Sequence, residues 1–238
     1  MLKFLPFLII VFSALTFITS CKQKADNEKP KIEHKEKTTK KQSDNSQKTK
    51  EKTTVIADYD TTKWKEIKAP DFNLDLRYAT KNNFVKEKLY NCGRCFVRPE
   101  VYTNLVKANE ELKTMGYKFK LYDCYRPKPF QQKLWDIKPD PNYVTDPKKG
   151  SMHNRGLALD ISIVDENNVE LDMGTEFDYF GKEAHHDYTD LPANVLANRH
   201  LLRTIMEKYG FNGIRTEWWH YSMRKLNYPI SDWVWECN

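Results

Sequence analysis

One carboxylate sits where a carboxylate is expensive. In Leu157-Ala-Leu-Asp-Ile-Ser-Ile-Val164, large apolar residues alternate with smaller or polar ones, which predicts a half-buried strand. Asp160 lies in the middle of that run. A charge there must face water, pair with another group, or bind a metal. Whatever fold surrounds this strand has to provide one of the three.

The material to build that fold lies on one side of a compositional break. Residues 22–53 hold eleven Lys and six acidic residues, no aromatic residue, and only Ala25, Pro30 and Ile32 as apolar side chains. Such a stretch cannot bury enough surface to offset the entropy of ordering it. Aromatic residues, 13% of the chain, fall mostly after Tyr59. Charge follows the same division. The chain carries 39 basic and 33 acidic residues, yet residues 54–238 carry 27 of each. The foldable part therefore has no net basic field, which argues against a nucleic-acid-binding domain. It is long enough for one domain.

Further elements can be read along that domain. Leu74–Tyr78 alternates and predicts a strand. Val101, Leu105, Ala108, Leu112 and Met115 are spaced as one face of a helix over 100–116, which Gly116 ends. Tyr117–Asp123 reads as a strand, Pro129 to Ile137 as a short helix, 138–150 as a loop, and 165–190 as irregular chain. Asn194–Tyr209 is an amphipathic helix, and Thr216–Ser222 is an aromatic strand. Helices and strands mix without βαβ repetition. The expected fold is α+β, a single domain with a small antiparallel or mixed sheet packed by helices.

The N-terminus reads as an address. Residues 4–19 are apolar after a lone Lys3, short for a membrane-spanning helix and suited to the core of a signal peptide. Ile18-Thr-Ser-Cys21 resembles a bacterial lipobox. This predicts a signal peptide over 1–20, a lipidated Cys21 and a disordered Lys-rich linker over 21–60. The linker would hold a 61–238 domain off a membrane with a root-mean-square reach of ~35 Å. The protein is then exported and lipid-anchored. The remaining Cys92, Cys95, Cys124 and Cys237 are an even set, which in an exported chain predicts disulfides in one of three pairings.

Of six histidines, His34 falls in the tail and His200 on a polar helix face. His153 stands seven residues before Asp160, and His220 three after Glu217. Neither spacing places both partners on one face of a regular strand. Gly156 permits a turn that frees His153. Glu217 is better placed at the strand's mouth than as a ligand. Two imidazoles and one carboxylate form a three-ligand site with an open fourth position, the pattern of catalytic zinc. Glu217, made dry by Trp218 and Trp219, completes the set of metal, water and general base.

The order Ser-x-His-x-x-Gly-x-Ala-x-Asp, then Glu-x-x-His, resembles the zinc D-alanyl peptidase superfamily. Matching stretches point to its D-alanyl-D-alanine dipeptidase branch, the vancomycin-resistance type. They are Leu76–Thr80, Asp123–Pro127, Ser151–Asp160, Met173–Asp178, His185-His186 and Glu217–Tyr221, within about residues 61–228. The resemblance implies one zinc ion in a central cleft, held by His153, Asp160 and His220. It implies Glu217 as general base, Arg126 as the group that stabilises the oxyanion, and D-Ala-D-Ala as substrate. Asp178 matches the residue that meets the substrate's ammonium, and Tyr78 and Ser151 match cleft residues. His185 and His186 receive no ligand role. Cys95–Cys124 is the pairing expected, because it would anchor the loop carrying Arg126. The alternatives are another murein peptidase of the superfamily, a D,D-carboxypeptidase, or a zinc-stabilised cell-wall-binding module without turnover. The last has no use for both Glu217 and Arg126.

Overall fold

In a computed structural model, Asp60 and residues 62–237 are described. The predicted signal peptide, Cys21 and the linker up to residue 59 lie outside them. Among the described residues, seven strands and three α-helices follow in chain order: β1 (Lys65–Ile67), β2 (Asn73–Leu74), β3 (Cys95–Val97), α1 (Pro99–Lys113), β4 (Tyr117–Asp123), α2 (Lys128–Ile137), β5 (Ala158–Asp165), α3 (Ala193–Lys208), β6 (Asn212–Ile214) and β7 (Glu217–Ser222). A five-stranded sheet runs β2-β4-β5-β7-β6, and β1 pairs with β3 beside it. Only β2 is parallel to its neighbour. The fold is α+β with a mixed sheet, as the pattern predicts.

β5 is the centre of that sheet. The alternation predicts a half-buried strand, but all of Ala158–Val164 is buried. A central strand covered on both faces cannot show water its smaller residues. Asp160 is only 4% exposed, so bulk water cannot solvate it and neighbouring groups or a metal must. α1 places Val101, Leu105, Ala108 and Leu112 in the core. Met115, predicted on the same face, lies past the end of the helix and is exposed. Asn109 locks α1 to the sheet. Its side-chain oxygen accepts from Phe119 N, and its amide donates to the Asp71 carbonyl.

The segment 74–78 also differs from expectation. Pairing ends at Leu74, and Arg77–Ala79 form a single 3-10 turn that buries Tyr78. Two residues of parallel pairing with β4 are all that the edge provides.

Two disulfides and an aromatic cluster hold the N- and C-terminal parts of the domain together. Cys92 bonds Cys237, and Cys95 bonds Cys124. Residues 226–237 have no regular structure but carry Trp233 and Trp235 onto Trp64, Tyr125, Phe96 and Tyr90. Ser231 bridges two loops, its carbonyl accepting from Lys128 N and its N–H donating to the Asn154 carbonyl. Those loops lead to α2 and to the turn that bears His153.

Candidate active site

Three neighbouring strands bring charged residues into one row. Asp160 of β5 lies opposite Asp123 of β4 on one side and opposite His220 of β7 on the other. Cross-strand partners at one level point to the same face. Uninterrupted pairing from Leu121↔Ile161 would have put Tyr122 opposite Asp160. The register shift between Leu121 and Asp123 brings Asp123 there instead. An extra residue of this kind re-aims a side chain.

His153 reaches the same point from a loop. His153–Arg155 form a short 3-10 turn closed by Gly156 at φ +71°. A side chain at Gly156 would also meet the Trp64 ring, at 2.4 Å from its Cβ. The turn that the spacing of His153 and Asp160 required is therefore present. The Cys124 carbonyl accepts a hydrogen bond from His153 Nδ1 at 2.8 Å. This fixes the tautomer and leaves the Nε2 lone pair facing inward.

His153 Nε2 lies 3.2 Å from His220 Nδ1 and 3.3 Å from Asp160 Oδ1, and His220 Nδ1 lies 3.1 Å from the same oxygen. Bonds of ~2.0–2.1 Å at tetrahedral angles put ligand atoms ~3.3 Å apart. The three atoms therefore stand at the spacing of one face of a zinc tetrahedron. The donor set also fits, being two imidazole nitrogens and a carboxylate oxygen.

Glu217 stands beside this face, its Oε2 3.9 Å from His220 Nδ1. Both residues line one cleft of about 440 Å³, although a regular strand would turn them apart. The reason is a second irregularity. Gly213 pairs with Tyr221 but Ile214 with Glu217, so β7 bulges between them. Burial pushes the Glu217 carboxyl up to about 7; Asp160 adds to the rise, and His220 and Arg126 oppose it.

Arg126 is buried and held on several sides. Its Nε and Nη2 donate to Asp123 Oδ2 at 3.0 and 2.7 Å, and its Nη1 donates to Gln131 Oε1 at 3.0 Å. Its guanidinium lies over the Tyr78 ring. Burial opposes its charge, and Asp123 more than restores it. Asp123 in turn accepts from Tyr90. Asp123, Gln131 and Tyr90 were not singled out in the sequence. Asp123 lay within a matched motif, but only the bulge shows that it faces Arg126.

Asp178 enters from the loop after β5 at φ +62°, a left-handed conformation that Asp tolerates better than most residues. The Tyr78 hydroxyl donates to it at 3.2 Å. Burial, with Asp160 and Glu217 nearby, holds its carboxyl well above the usual range, against Arg126 and Tyr78. Ser151 also lines the cleft, and its Oγ accepts from Asn154 N. His185 and His186 do not join this group. His186 lines a separate small cavity with Asp187, Arg203 and Arg215, and burial lowers its pKa to about 4. His200 is exposed on α3.

Residues 57–233 match the family model of peptidase M15, described as D-Ala-D-Ala dipeptidase. The chain belongs to this family of peptidases, as its motifs imply. It is 37% identical over 162 residues to the D-alanyl-D-alanine dipeptidase of Escherichia coli (strain K12), covering 68% of this chain and 84% of that one. It is 34% identical over 180 residues to that of Enterococcus faecium, covering 66% and 88%. It is 30% identical over 179 residues to that of Streptomyces coelicolor, covering 65% and 87%.

The Asp123–Arg126 pair yields a prediction independent of catalysis. Removing one partner of a buried ion pair leaves the other charge uncompensated, at a cost of ~3–5 kcal/mol. Asp123→Ala should lower the unfolding free energy by about that much in urea titration. A loss under ~1 kcal/mol would mean that the pair is not buried in solution.

Proposed function

We propose that this chain is a zinc dipeptidase that hydrolyses D-Ala-D-Ala. One observation carries the reading: three ligand atoms at tetrahedral spacing with a recessed glutamate beside them. Family membership and relatives named D-alanyl-D-alanine dipeptidase support the substrate.

His153, Asp160 and His220 would hold one zinc ion, which when bound polarises a scissile carbonyl and acidifies the attacking water. Glu217 accepts the proton of that water and returns it to the leaving amine. A carboxyl whose pKa lies near the working pH is suited to both transfers. Arg126 cannot swing away, since Asp123 and Gln131 fix it. Its guanidinium stabilises the oxyanion of the tetrahedral intermediate without reorganising. Asp178 and Tyr78 receive the ammonium of the substrate. Ammonium next to Asp178 would bring positive charge to a carboxyl that burial and its acidic neighbours disfavour as an anion. Cys95–Cys124 anchors the strand end from which Cys124 orients His153.

The N-terminal reading belongs here too. We propose that the chain is exported and that Cys21 carries a lipid holding the domain to a bacterial membrane. The apolar run 4–19 and Ile18-Thr-Ser-Cys21 support this, and two disulfides suit an oxidising compartment. No helix among the described residues is long and apolar enough to cross a membrane. Mass spectrometry of the membrane-extracted protein should find an acylated Cys21 at its N-terminus. A mature chain beginning elsewhere, without lipid, would remove the anchor.

Metal and base can be separated. His220→Ala should lose its zinc by metal analysis. Glu217→Gln should retain zinc and bind substrate, yet lose ~10²–10⁴-fold in kcat. Metal-free Glu217→Gln would make Glu217 a ligand instead.

Substrate length tests the role of Asp178. A longer peptide presents a neutral amide where the dipeptide presents ammonium, leaving the buried carboxyl unpaired. Zinc-loaded protein should cleave D-Ala-D-Ala but not a murein pentapeptide with the same terminus. Asp178→Ala should impair the dipeptide far more than an N-blocked analogue. Equal rates on dipeptide and pentapeptide would favour the D,D-carboxypeptidase reading.

A further inference from the structure

His186 takes no part in the proposed reaction, yet its ring holds a polar atom with nothing to bond. The backbone N of His186 donates to the Arg215 carbonyl at 2.8 Å, which pins the residue against the turn between β6 and β7. Its Nε2 is shielded from solvent and has no hydrogen-bond partner among the described residues. Burial, with Arg203 and Arg199 nearby, lowers its pKa to about 4 against Glu207 and Asp187, so the ring is uncharged near neutral pH. A neutral imidazole still has one N–H to donate.

A second unpartnered group stands beside it. Tyr221 of β7 is 0% exposed, and its hydroxyl has no partner either. The two rings meet edge-on, with centroids 5.8 Å apart. Both lie against Gly213, where a Cβ would come within 2.9 Å of His186 Nε2 and 3.5 Å of the Tyr221 ring. Only glycine lets the imidazole approach β6 this closely. A buried polar atom left unpaired costs ~1–3 kcal/mol. Two in adjoining rings point to one occupant that satisfies both.

The surroundings say what kind of occupant. His186 opens on a cavity of about 220 Å³, lined also by Asp187, Arg203, Gly213, Ile214 and Arg215. Arg203 of α3 donates from Nε to Glu207 at 2.7 Å and makes no other hydrogen bond with a described residue. Arg215 Nη1 lies 3.1 Å from His185 Nδ1 and 3.5 Å from Asp187. Each guanidinium presents five N–H groups, so both keep donors to spare. The lining holds two guanidiniums and one carboxylate, which leaves it net positive. Planar guanidinium forks suit the oxygens of carboxylate and phosphate.

We propose that this cavity binds a small oxyanion, a phosphate or carboxylate group, held by the Arg203 and Arg215 guanidiniums and by hydrogen bonds from His186 Nε2–H and the Tyr221 hydroxyl. The site is separate from the cleft of the three-ligand face and does not depend on the dipeptidase reading. Ile214 lines both spaces. An occupant therefore touches Gly213 and Ile214, the two residues between which the register shifts to aim Glu217.

Titration of the zinc-loaded protein with inorganic phosphate, and separately with acetate, tests the site by NMR of the His186 ring. The ring resonances should shift saturably with at least one anion, and the tighter of the two tells phosphate from carboxylate chemistry. Arg203→Gln and Tyr221→Phe should each weaken that binding about 10–100-fold, the worth of a hydrogen bond to a charged group. Arg203 is half exposed and phenylalanine keeps the Tyr221 ring, so both variants should fold. Binding should persist in metal-free protein. No saturable shift with either anion, full affinity in either variant, or loss of binding on removing zinc overturns the site. So does a crystal of phosphate-soaked protein in which only water bridges His186 and Tyr221.

Discussion

The site depends on carboxylates crowded together in and beside a buried sheet. Asp123, Asp160, Asp178 and Glu217 converge around one committed guanidinium, that of Arg126. Asp123 and Asp160 are cross-strand neighbours in a buried sheet, where like charges repel. Arg126 relieves that pair, its Nη2 2.7 Å from Asp123 and 3.9 Å from Asp160. The surplus remains at Asp178 and Glu217, whose carboxyls are both held above their ordinary range. A divalent cation at the three-ligand face and an ammonium at Asp178 would offset this negative charge. The electrostatics of the cleft thus fit a divalent cation and a substrate ammonium together.

Geometry follows from where the sheet is irregular. A perfect ladder would have set Tyr122, not Asp123, beside Asp160, and would have turned Glu217 away from His220. One shift in β4 and another in β7 correct both. The rest of the scaffold holds the loops that complete the site. Cys95–Cys124 and the Ser231 bridge fix the ends from which Cys124, Arg126 and His153 project. Tyr78, buried beneath Arg126, reaches Asp178 from a segment far away in sequence.

Much of this was legible in the sequence because it rests on local pattern. Helical spacing located α1 and α3, alternation located β4 and β5, aromatic content located β7, and a carboxylate in an apolar run marked Asp160. What was not legible depends on non-local pairing. Alternation in 74–78 read as a strand because nothing local shows that parallel pairing stops at Leu74. The burial of both faces of β5 depends on which strands flank it. Parity along β7 separated Glu217 from His220, because a bulge is set by the partner strand.

The central claim is that one zinc ion completes the His153–Asp160–His220 face. A crystal structure of the zinc-loaded protein, with anomalous data at the zinc edge, tests it most directly. The account predicts a single peak ~2.0–2.2 Å from His153 Nε2, His220 Nδ1 and an Asp160 oxygen, with Glu217 outside the ligand shell. A peak at His185 and His186, or one coordinated by Glu217 in place of Asp160, would contradict it.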